Sequence, residues 1–229
     1  MASETRTILK NLSVDCIVFG FQNPDLEVLL IQLNVEPEKG QWALPGGNIS
    51  VDEDLDQAAA RVLEELTGVK NIYMEQVAAF GCIDRFPLHR VVTFSYYALI
   101  NPEHYYLKAG IKAKAVKWFR INEVPKLAFD HNQILENALN RLRARVRYRP
   151  IGFELLPKKF TLTHIQNLYQ SILGHDLDKR NFRRKILKMN LITKLNELQE
   201  GVAHRMPQLF SFDKRTYVKL RKNGFNFEL

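Results

Sequence analysis

A glycine, two carboxylates and an arginine occur at fixed intervals in the first third of the chain. Five residues separate Gly47 from Glu53, seven separate Glu53 from Arg61, and Glu65 follows four residues after Arg61. Residues four apart on a helix lie on one face, so Arg61 and Glu65 would be neighbours. Grouped carboxylates can bind Mg²⁺, which takes oxygen ligands and neutralises phosphate charge. The segment therefore has the residue types for metal-assisted phosphate chemistry.

This spacing resembles the signature of the Nudix hydrolases, and residues 42–47 resemble the usual lead-in to it. The resemblance implies a mixed sheet between helices, with metal ligands at positions 62, 65 and 66. Two of these three positions are aliphatic here, so we expect hydrolysis to be lost, with no catalytic residue and no metal cofactor. The alternative is a weak Mg²⁺ site at Glu53 and Glu65 that still hydrolyses ADP-ribose or a related nucleoside diphosphate derivative. The degenerate signature consists of Gly47, Glu53, Arg61, Val62, Glu65, Leu66 and Gly68.

A predicted helix positions this signature. Apolar residues at helical spacing over residues 55–66 predict the helix, with Asp52 or Asp54 as its N-cap and Gly68 as its left-handed C-cap. Strands are predicted at residues 14–21, 26–33, 74–83, 91–100 and 116–119. A further helix is predicted from Ile134 onwards, until Pro150 stops it.

Three side chains of this first half are candidates for binding a small effector. Trp42 could stack on a ring or a sugar face, and Arg85 and Arg90 could attract phosphate. The alternatives are a structural Trp42 and surface ion pairs for the two arginines. Related chains often carry Lys-Arg where this one has Gln32 and Leu33, and that loss of positive charge favours a sugar.

Charge is distributed unevenly along the chain, whose net charge is +8. Residues 1–140 contain 13 Lys and Arg against 18 Asp and Glu, whereas residues 141–229 contain 20 against 7. A basic C-terminal third suits binding to a phosphate backbone, although a solvated basic surface is the alternative.

The basic third also has the pattern of a winged helix. Thr163 with Gln166 predicts a capping box for a first helix, which ends at Gly174. Asp178 then predicts the N-cap of a second helix over residues 179–189, with Phe182, Ile186 and Met189 facing inward. Two short strands, at residues 191–194 and 208–212, enclose a polar loop.

The outward face of the second helix is predicted to enter the major groove of DNA. Arginine there can pair with two atoms of guanine, whereas lysine adds only charge. The candidate DNA-binding residues are Arg180, Asn181, Arg183, Arg184 and Lys188 on the helix, His204 and Arg205 on the wing, and Lys158 at a phosphate.

The two halves together, with the motif Leu-Asp-Lys-Arg-Asn-Phe-Arg at residues 177–183, resemble the Nudix-related transcriptional regulators of bacteria. The resemblance implies an α+β chain, with a Nudix-like mixed-sheet αβα sandwich over residues 1–149 and a winged helix-turn-helix domain over residues 150–229. It implies a homodimer that binds a palindromic double-stranded DNA operator and responds to an effector, either a pentose sugar or ADP-ribose. A basic module that binds RNA or an acidic protein is a further alternative.

The remaining expectations concern the compartment and the thiols. No stretch reaches the roughly 18 apolar residues of a membrane span, and the start does not have the form of a signal peptide, so we expect a cytoplasmic protein without a membrane partner. Cys16 and Cys82 each lie in an apolar, strand-like run and are expected to be buried thiols.

Overall fold

The computed structural model describes residues 7–201 and 206–222, and the contacts within the chain divide it into two compact units. The first unit is Met1–Gly20 with Glu27–Leu139, and the second is Phe21–Leu26 with Asn140–Leu229. The domain boundary at residues 149 and 150 stays a prediction.

The first part of the chain forms a seven-stranded mixed sheet and two α-helices, with 3-10 helices at Pro102–His104 and Ile121–Glu123. In chain order the elements are β1 (Ile8–Gln22), β2 (Asp25–Leu33), β3 (Trp42–Ala43), β4 (Gly46–Ser50), α1 (Leu55–Thr67), β5 (Glu75–Phe80), β6 (Val92–Leu99), β7 (Ala113–Arg120) and α2 (His131–Val146). Along the main path the strand order is β3-β2-β1-β6-β5, with β4 paired to β1 and β7 paired to β2. β1 runs parallel to β6 and antiparallel to β4, which confirms the predicted mixed sheet.

Both faces of the central strands are covered. Residues 13–21 of β1 are all buried, which is typical of a strand between two layers. The small polar side chains of Thr93 and Ser95 in β6 are buried as well. The alternation of polar and apolar residues in β6 therefore does not mark a solvent-exposed face.

The helix α1 is bounded by the residue types that the sequence indicates. Asp54, one of the two candidate N-caps, accepts a hydrogen bond from Gln57 N, while the Gln57 side chain accepts one from Asp54 N. Gly68 adopts a φ of 77° and closes the helix, as predicted. The buried face of α1 contributes Ala58, Ala59, Val62, Leu63 and Leu66 to the hydrophobic core.

The second unit contains a helix-turn-helix followed by a two-stranded hairpin, as predicted. Its elements are a 3-10 helix (Pro150–Leu155), α3 (Leu162–Leu173), α4 (Lys179–Lys188), β8 (Ile192–Leu198), β9 (Gln208–Phe212) and α5 (Lys214–Lys222). Phe160 and Phe210 exchange backbone hydrogen bonds and extend the hairpin by one bridge. The helix α5 was not predicted from the sequence, although Asp213 caps it by accepting hydrogen bonds from Thr216 N and Thr216 Oγ1.

Two predicted helix ends are wrong. The capping box of α3 is formed by Thr161 and His164 instead of Thr163 and Gln166, because the helix begins two residues earlier than predicted. The Gln166 side chain donates to Leu177 O and to the side chain of Gln170. The helix α2 ends at Val146, before Pro150 is reached.

The two thiols differ in exposure. Cys16 is buried, as predicted, and its burial raises the pKa of the thiol. Cys82 is exposed, which corrects the prediction, because β5 ends at Phe80 and leaves this residue in the following loop. In the described parts of the chain, no helix combines the length and the apolar character needed to cross a membrane.

Candidate effector cleft and DNA-reading helix

The carboxylates of the α1 signature are held by an arginine of the same signature. Arg61 donates through Nε to Glu53 Oε2 at 2.8 Å, and its Nη2 contacts Glu53 Oε1. Ser50 N donates to the same carboxylate at 2.7 Å. Mainly through the hydrogen bonds from Arg61, the pKa of Glu53 is lowered to about 2. Arg61 also contacts the exposed Glu65 at 3.2 Å, so it holds both carboxylates in one ion-pair cluster.

The other two signature positions lie in the core. Val62 is 2% exposed and Leu66 is 6% exposed, and both pack with Ala58, Ala59 and Leu63. Aliphatic side chains offer no oxygen ligand to Mg²⁺. In residues 7–201 and 206–222, no three side chains of His, Cys, Asp or Glu gather in a group that could hold a metal ion. The residues present therefore do not fit the magnesium site that the fold implies.

A cleft of about 480 Å³ lies elsewhere on the first unit. This volume is within the range of small-molecule sites, which combine apolar walls with a few polar groups. Three stretches of chain line it: Glu38 with Gln41, the loop residues Cys82, Asp84, Arg85 and Pro87, and the segment Lys126, Leu127, Ala128, Phe129, Asp130 and Gln133.

A buried ion pair forms part of the wall of this cleft. Arg85 donates through Nε and Nη2 to the two oxygens of Asp130, each at 2.9 Å. Its Nη2 also contacts Asp15 Oδ2 at 3.2 Å. The Arg85 side chain is only 5% exposed, so these carboxylates supply the neutralisation that a buried guanidinium requires.

His131 extends the same cluster behind the wall of the cleft. Its Nδ1 accepts a hydrogen bond from Leu44 N at 3.0 Å, and its Nε2 lies 3.5 Å from Asp15 Oδ1. Burial lowers the pKa of His131. With Nδ1 as an acceptor, the neutral ring carries its proton on Nε2, towards Asp15.

Of the three predicted effector ligands, only Arg85 lines the cleft. Trp42 is half-buried and packs edge-on against Phe119, with ring centroids 4.7 Å apart. Arg90 is exposed and is not among the lining residues. Gln32, at the position where related chains carry a basic residue, donates to Gly40 O at 2.9 Å.

Two cleft residues that follow Ala128 were not predicted from the sequence. Phe129 lines the cleft with a φ of 55°, an uncommon conformation for a bulky residue, and its ring packs against Phe86 and His131. Asp130 comes directly before α2, the place of a helix N-cap, and that position was the signal available in the sequence. The apolar pattern, however, predicted this helix only from Ile134 onwards, four residues after Asp130.

The helix α4 presents a basic face to solvent in the second unit. Asp178 caps it by accepting from Asn181 N at 2.7 Å, as predicted. Phe182 and Ile186 are buried, whereas Met189, the third predicted inward residue, is only half-buried. The exposed side chains include Arg180, Asn181, Arg184 and Lys188, all of them predicted DNA contacts.

Arg183 differs from the other basic residues of α4. It is half-buried, and its Nη2 donates to Thr163 Oγ1 at 2.9 Å, which fastens it to α3. By contrast, Arg184 Nη2 donates to Asn181 Oδ1 at 2.8 Å within the exposed face of α4. Lys158 is exposed, and His204 and Arg205 lie outside the described residues.

Two protein families match the chain in succession. The NUDIX domain family matches residues 9–139, and the family described as the NrtR DNA-binding winged helix domain matches residues 152–212. The chain is also 37% identical over 221 residues to the ADPR responsive transcriptional repressor of Acinetobacter baylyi, covering 94% of this chain and 85% of that protein.

Solved structures are similar both to nearly the whole chain and to its Nudix domain. Shewanella oneidensis NrtR in complex with a 27mer DNA matches with a TM-score of 0.76 and 30% identity, over 94% of this chain and 97% of that one. The NUDIX domain of the same protein in complex with ADP ribose matches with a TM-score of 0.55 and 37% identity, over 58% of this chain and 88% of that one.

Proposed function

This chain belongs to the NrtR family of Nudix-domain transcriptional regulators, and from that premise we propose that it is a repressor whose affinity for DNA responds to ADP-ribose. The Nudix unit is the sensor, and the winged helix is the DNA reader. The family relationship covers nearly the whole chain and both units.

One observation carries the proposal that the Nudix unit senses its ligand without hydrolysing it. The positions that should supply metal ligands are filled by Val62 and Leu66 in the core, while a separate cleft beside Arg85 has room for a small molecule. A unit with a cleft of this size and without two of the three metal-ligand carboxylates suits reversible binding better than turnover.

ADP-ribose is a better candidate for the effector than a pentose. The relative that matches nearly the whole chain is described as responsive to ADPR, and the domain that matches the first unit was solved with ADP ribose. The preference for a sugar rested on the loss of basic residues at Gln32 and Leu33. Arg85 and Lys126 in the cleft lining can donate charge-assisted hydrogen bonds to phosphate oxygens, although Glu38, Asp84 and Asp130 line the same cleft.

DNA binding is assigned to the exposed face of α4. A homodimer would place two such helices on a palindromic operator, with half-sites about one helical turn or a multiple of it apart. Selection of duplexes from a random-sequence pool by the full chain should therefore yield an inverted repeat. Sedimentation of the chain alone and with the selected duplex would measure the oligomeric state. Selected duplexes without symmetry, or a monomer on DNA, would contradict this part of the proposal.

The central experiment is a titration of the full chain with ADP-ribose and, separately, with L-arabinose. We expect saturable binding of ADP-ribose alone, and a change in affinity for the selected duplex of roughly 5- to 150-fold when ADP-ribose is saturating. DNA should change the affinity for ADP-ribose by the same factor, because coupling is reciprocal. Unchanged DNA affinity at saturating ADP-ribose would contradict the proposed function.

A matched pair of variants tests the assignment of the cleft. Arg85 and Arg90 lie in the same loop, but only Arg85 lines the cleft. Arg85→Lys should weaken binding of ADP-ribose, because an ammonium cannot reproduce the two-pronged pairing of a guanidinium. Arg90→Lys should leave that affinity unchanged. Equal effects of the two substitutions would contradict the assignment.

The second candidate function is a Nudix hydrolase. The observation in its favour is that Arg61 of α1 pairs both with Glu53, which lies just before the helix, and with Glu65 one turn further along it. Release of AMP from ADP-ribose in the presence of Mg²⁺ would support this alternative.

A further inference from the structure

We infer that Asp130 is a positioning residue that transmits ligand binding in the cleft to α2, through its ion pair with Arg85. The inference rests on the proposed function, because it requires a ligand in the cleft and DNA on α4. It goes further by naming the contact that the ligand must change.

The charge of the cluster makes Arg85 and Asp130 sensitive to an anionic ligand. Asp15 and Asp130 share one arginine, and His131 is neutral at ordinary pH because burial lowers its pKa, so the cluster carries one net negative charge. The Arg85 side chain is only 5% exposed and lines the cleft. A phosphate group entering the cleft would therefore meet the guanidinium of Arg85 beside a carboxylate that repels the phosphate.

Asp130 is the carboxylate that such a ligand would displace. It lines the cleft itself, whereas Asp15 does not. Breaking a buried pair is costly when one charge is left uncompensated. Here the incoming phosphate would neutralise the positive charge of Arg85 in place of Asp130. The exchange of one anion for another therefore avoids the cost of an uncompensated buried charge.

The backbone of Asp130 forms the start of α2. Its carbonyl accepts hydrogen bonds from Gln133 N at 2.9 Å and from Ile134 N at 3.1 Å, the first backbone bonds of the helix. Phe129, the preceding residue, has a φ of 55°, which its bulky side chain disfavours. A turn held in this conformation by its neighbours can relax when one of its contacts is removed.

The C-terminal part of α2 is fastened to the winged helix. Residues from Asn140 onwards belong to the second unit, and in that unit Arg143 Nε donates to Ile172 O, in the last turn of α3, at 2.9 Å. The helix α3 in turn packs against α4 through the rings of Tyr169 and Phe182, whose centroids are 5.6 Å apart. The helix α2 begins beside the cleft and carries Arg143 near its end. We therefore expect a shift at the start of α2 to alter the Arg143 hydrogen bond to α3 and, through Tyr169 and Phe182, the position of α4.

The test compares Asp130→Asn with Glu136→Gln in the full chain. Both substitutions remove one carboxylate charge, but Glu136 is an exposed residue of α2 outside the cleft lining. The affinity for a duplex selected from a random pool is measured with and without saturating ADP-ribose. In the parent chain and in Glu136→Gln we expect a response of at least about 5-fold. In Asp130→Asn we expect ADP-ribose to change the affinity for the duplex by less than about 2-fold, although the variant still binds both ADP-ribose and the duplex.

Three outcomes separate the inference from the proposed function and from simple loss of structure. If ADP-ribose does not change the affinity of the parent chain for the duplex, both the proposed function and this inference are contradicted. A responsive parent with an equally responsive Asp130→Asn variant contradicts the inference alone. If circular dichroism shows that Asp130→Asn does not fold, Asp130→Glu takes its place, since it keeps the charge but alters the two-pronged geometry. A folded Asp130→Glu chain with the full response of the parent would overturn the inference.

Discussion

The backbone of Gly47 packs directly against the side chain of Val62, so that a methyl group added to Gly47 would lie 3.2 Å from Val62 Cγ2. Two positions of the Nudix signature thus lie in direct contact, and the second carries an aliphatic side chain where the family signature has a carboxylate.

We therefore predict that the full chain releases no AMP from ADP-ribose with Mg²⁺, whereas an active Nudix hydrolase in the same assay turns over at about 10 s⁻¹, a typical enzyme rate. The double substitution Val62→Glu and Leu66→Glu should lower the free energy of unfolding by at least about 1–3 kcal/mol per site, because it buries unpaired carboxylates. Mg²⁺ should restore part of that loss in the double variant and none in the parent. Chromatography of AMP and thermal melts with and without Mg²⁺ measure the two effects, and rapid turnover by the parent would contradict the prediction.

The ion pair of Glu53 and Arg61 predicts a pH dependence of stability. The pKa of Glu53 in the folded chain is about 2, against an ordinary value of 4.5, so its contribution is fully present above pH 4.5 and is lost as the pH falls towards 2. Arg61→Met should destabilise the chain by about 1–3 kcal/mol at pH 7 and should flatten the fall in stability between pH 5 and 2.

Lys70→Met provides the matched control for this prediction. Lys70 pairs with Glu64 at 3.5 Å, but both side chains are exposed, so the pair contributes little. Urea unfolding of the parent and of both variants across the pH range gives the comparison. If both variants follow the pH profile of the parent, the lowered pKa of Glu53 does not stabilise the fold.

Several features of the fold could be predicted because local chemistry determines them. The limits of α1 follow from Asp54 and Gly68, and the inward face of α4 follows from the spacing of Phe182 and Ile186. The loss of two metal-ligand carboxylates from the signature could also be predicted. The spacing alone places Val62 and Leu66 at those positions, whatever the tertiary structure.

The wall of the cleft could not be predicted in the same way. Asp15, Arg85 and Asp130 are up to 115 positions apart in the sequence, and only the pairing of the strands and the start of α2 bring them together. Trp42 and Arg90 have the residue types of a binding site, but their position in the fold, which a single sequence does not encode locally, keeps them out of the cleft lining. Cys82 was misplaced for the related reason that β5 ends two residues before it.

The two cysteines predict a direct test of the cleft. Cys82 is exposed and lines the cleft, whereas Cys16 is buried with a raised thiol pKa. A disulfide reagent should therefore modify one thiol per native chain quickly and the second only after unfolding. Saturating ADP-ribose should slow the fast reaction, because a ligand in the cleft covers Cys82.

Cys82→Ser is the control, and it should abolish the fast reaction while Cys16→Ser preserves it. An unchanged labelling rate of Cys82 at a concentration of ADP-ribose that saturates the chain would place the ligand outside this cleft. Fast labelling of both thiols in the native chain would contradict the buried position of Cys16.

The last prediction concerns base recognition by α4. Arg180 and Arg184 are exposed one turn apart, whereas Arg183 is tied to Thr163. An arginine that pairs with guanine through two hydrogen bonds contributes about 1–3 kcal/mol of discrimination. Arg184→Ala should therefore relax the base preference at one position of the half-site, and Arg180→Ala should do so at another.

Lys158→Ala is the contrasting variant, because Lys158 is exposed and lies outside α4, so we expect it to contact phosphate and not a base. It should weaken binding to all sequences alike and reduce the slope of log affinity against log salt by about one unit. Arg183→Ala tests whether Arg183 contacts DNA or only stabilises the packing of α3 and α4. If Arg183 contacts DNA, Arg183→Ala should lower the affinity for DNA and Thr163→Val should not. If its role is structural, both variants should lower the melting temperature by similar amounts. Suppose that Arg180→Ala, Arg183→Ala and Arg184→Ala all bind the selected duplex as tightly and selectively as the parent across the salt series. In that case α4 is not the recognition helix, and the basic residues of the second unit have a role other than base recognition by α4.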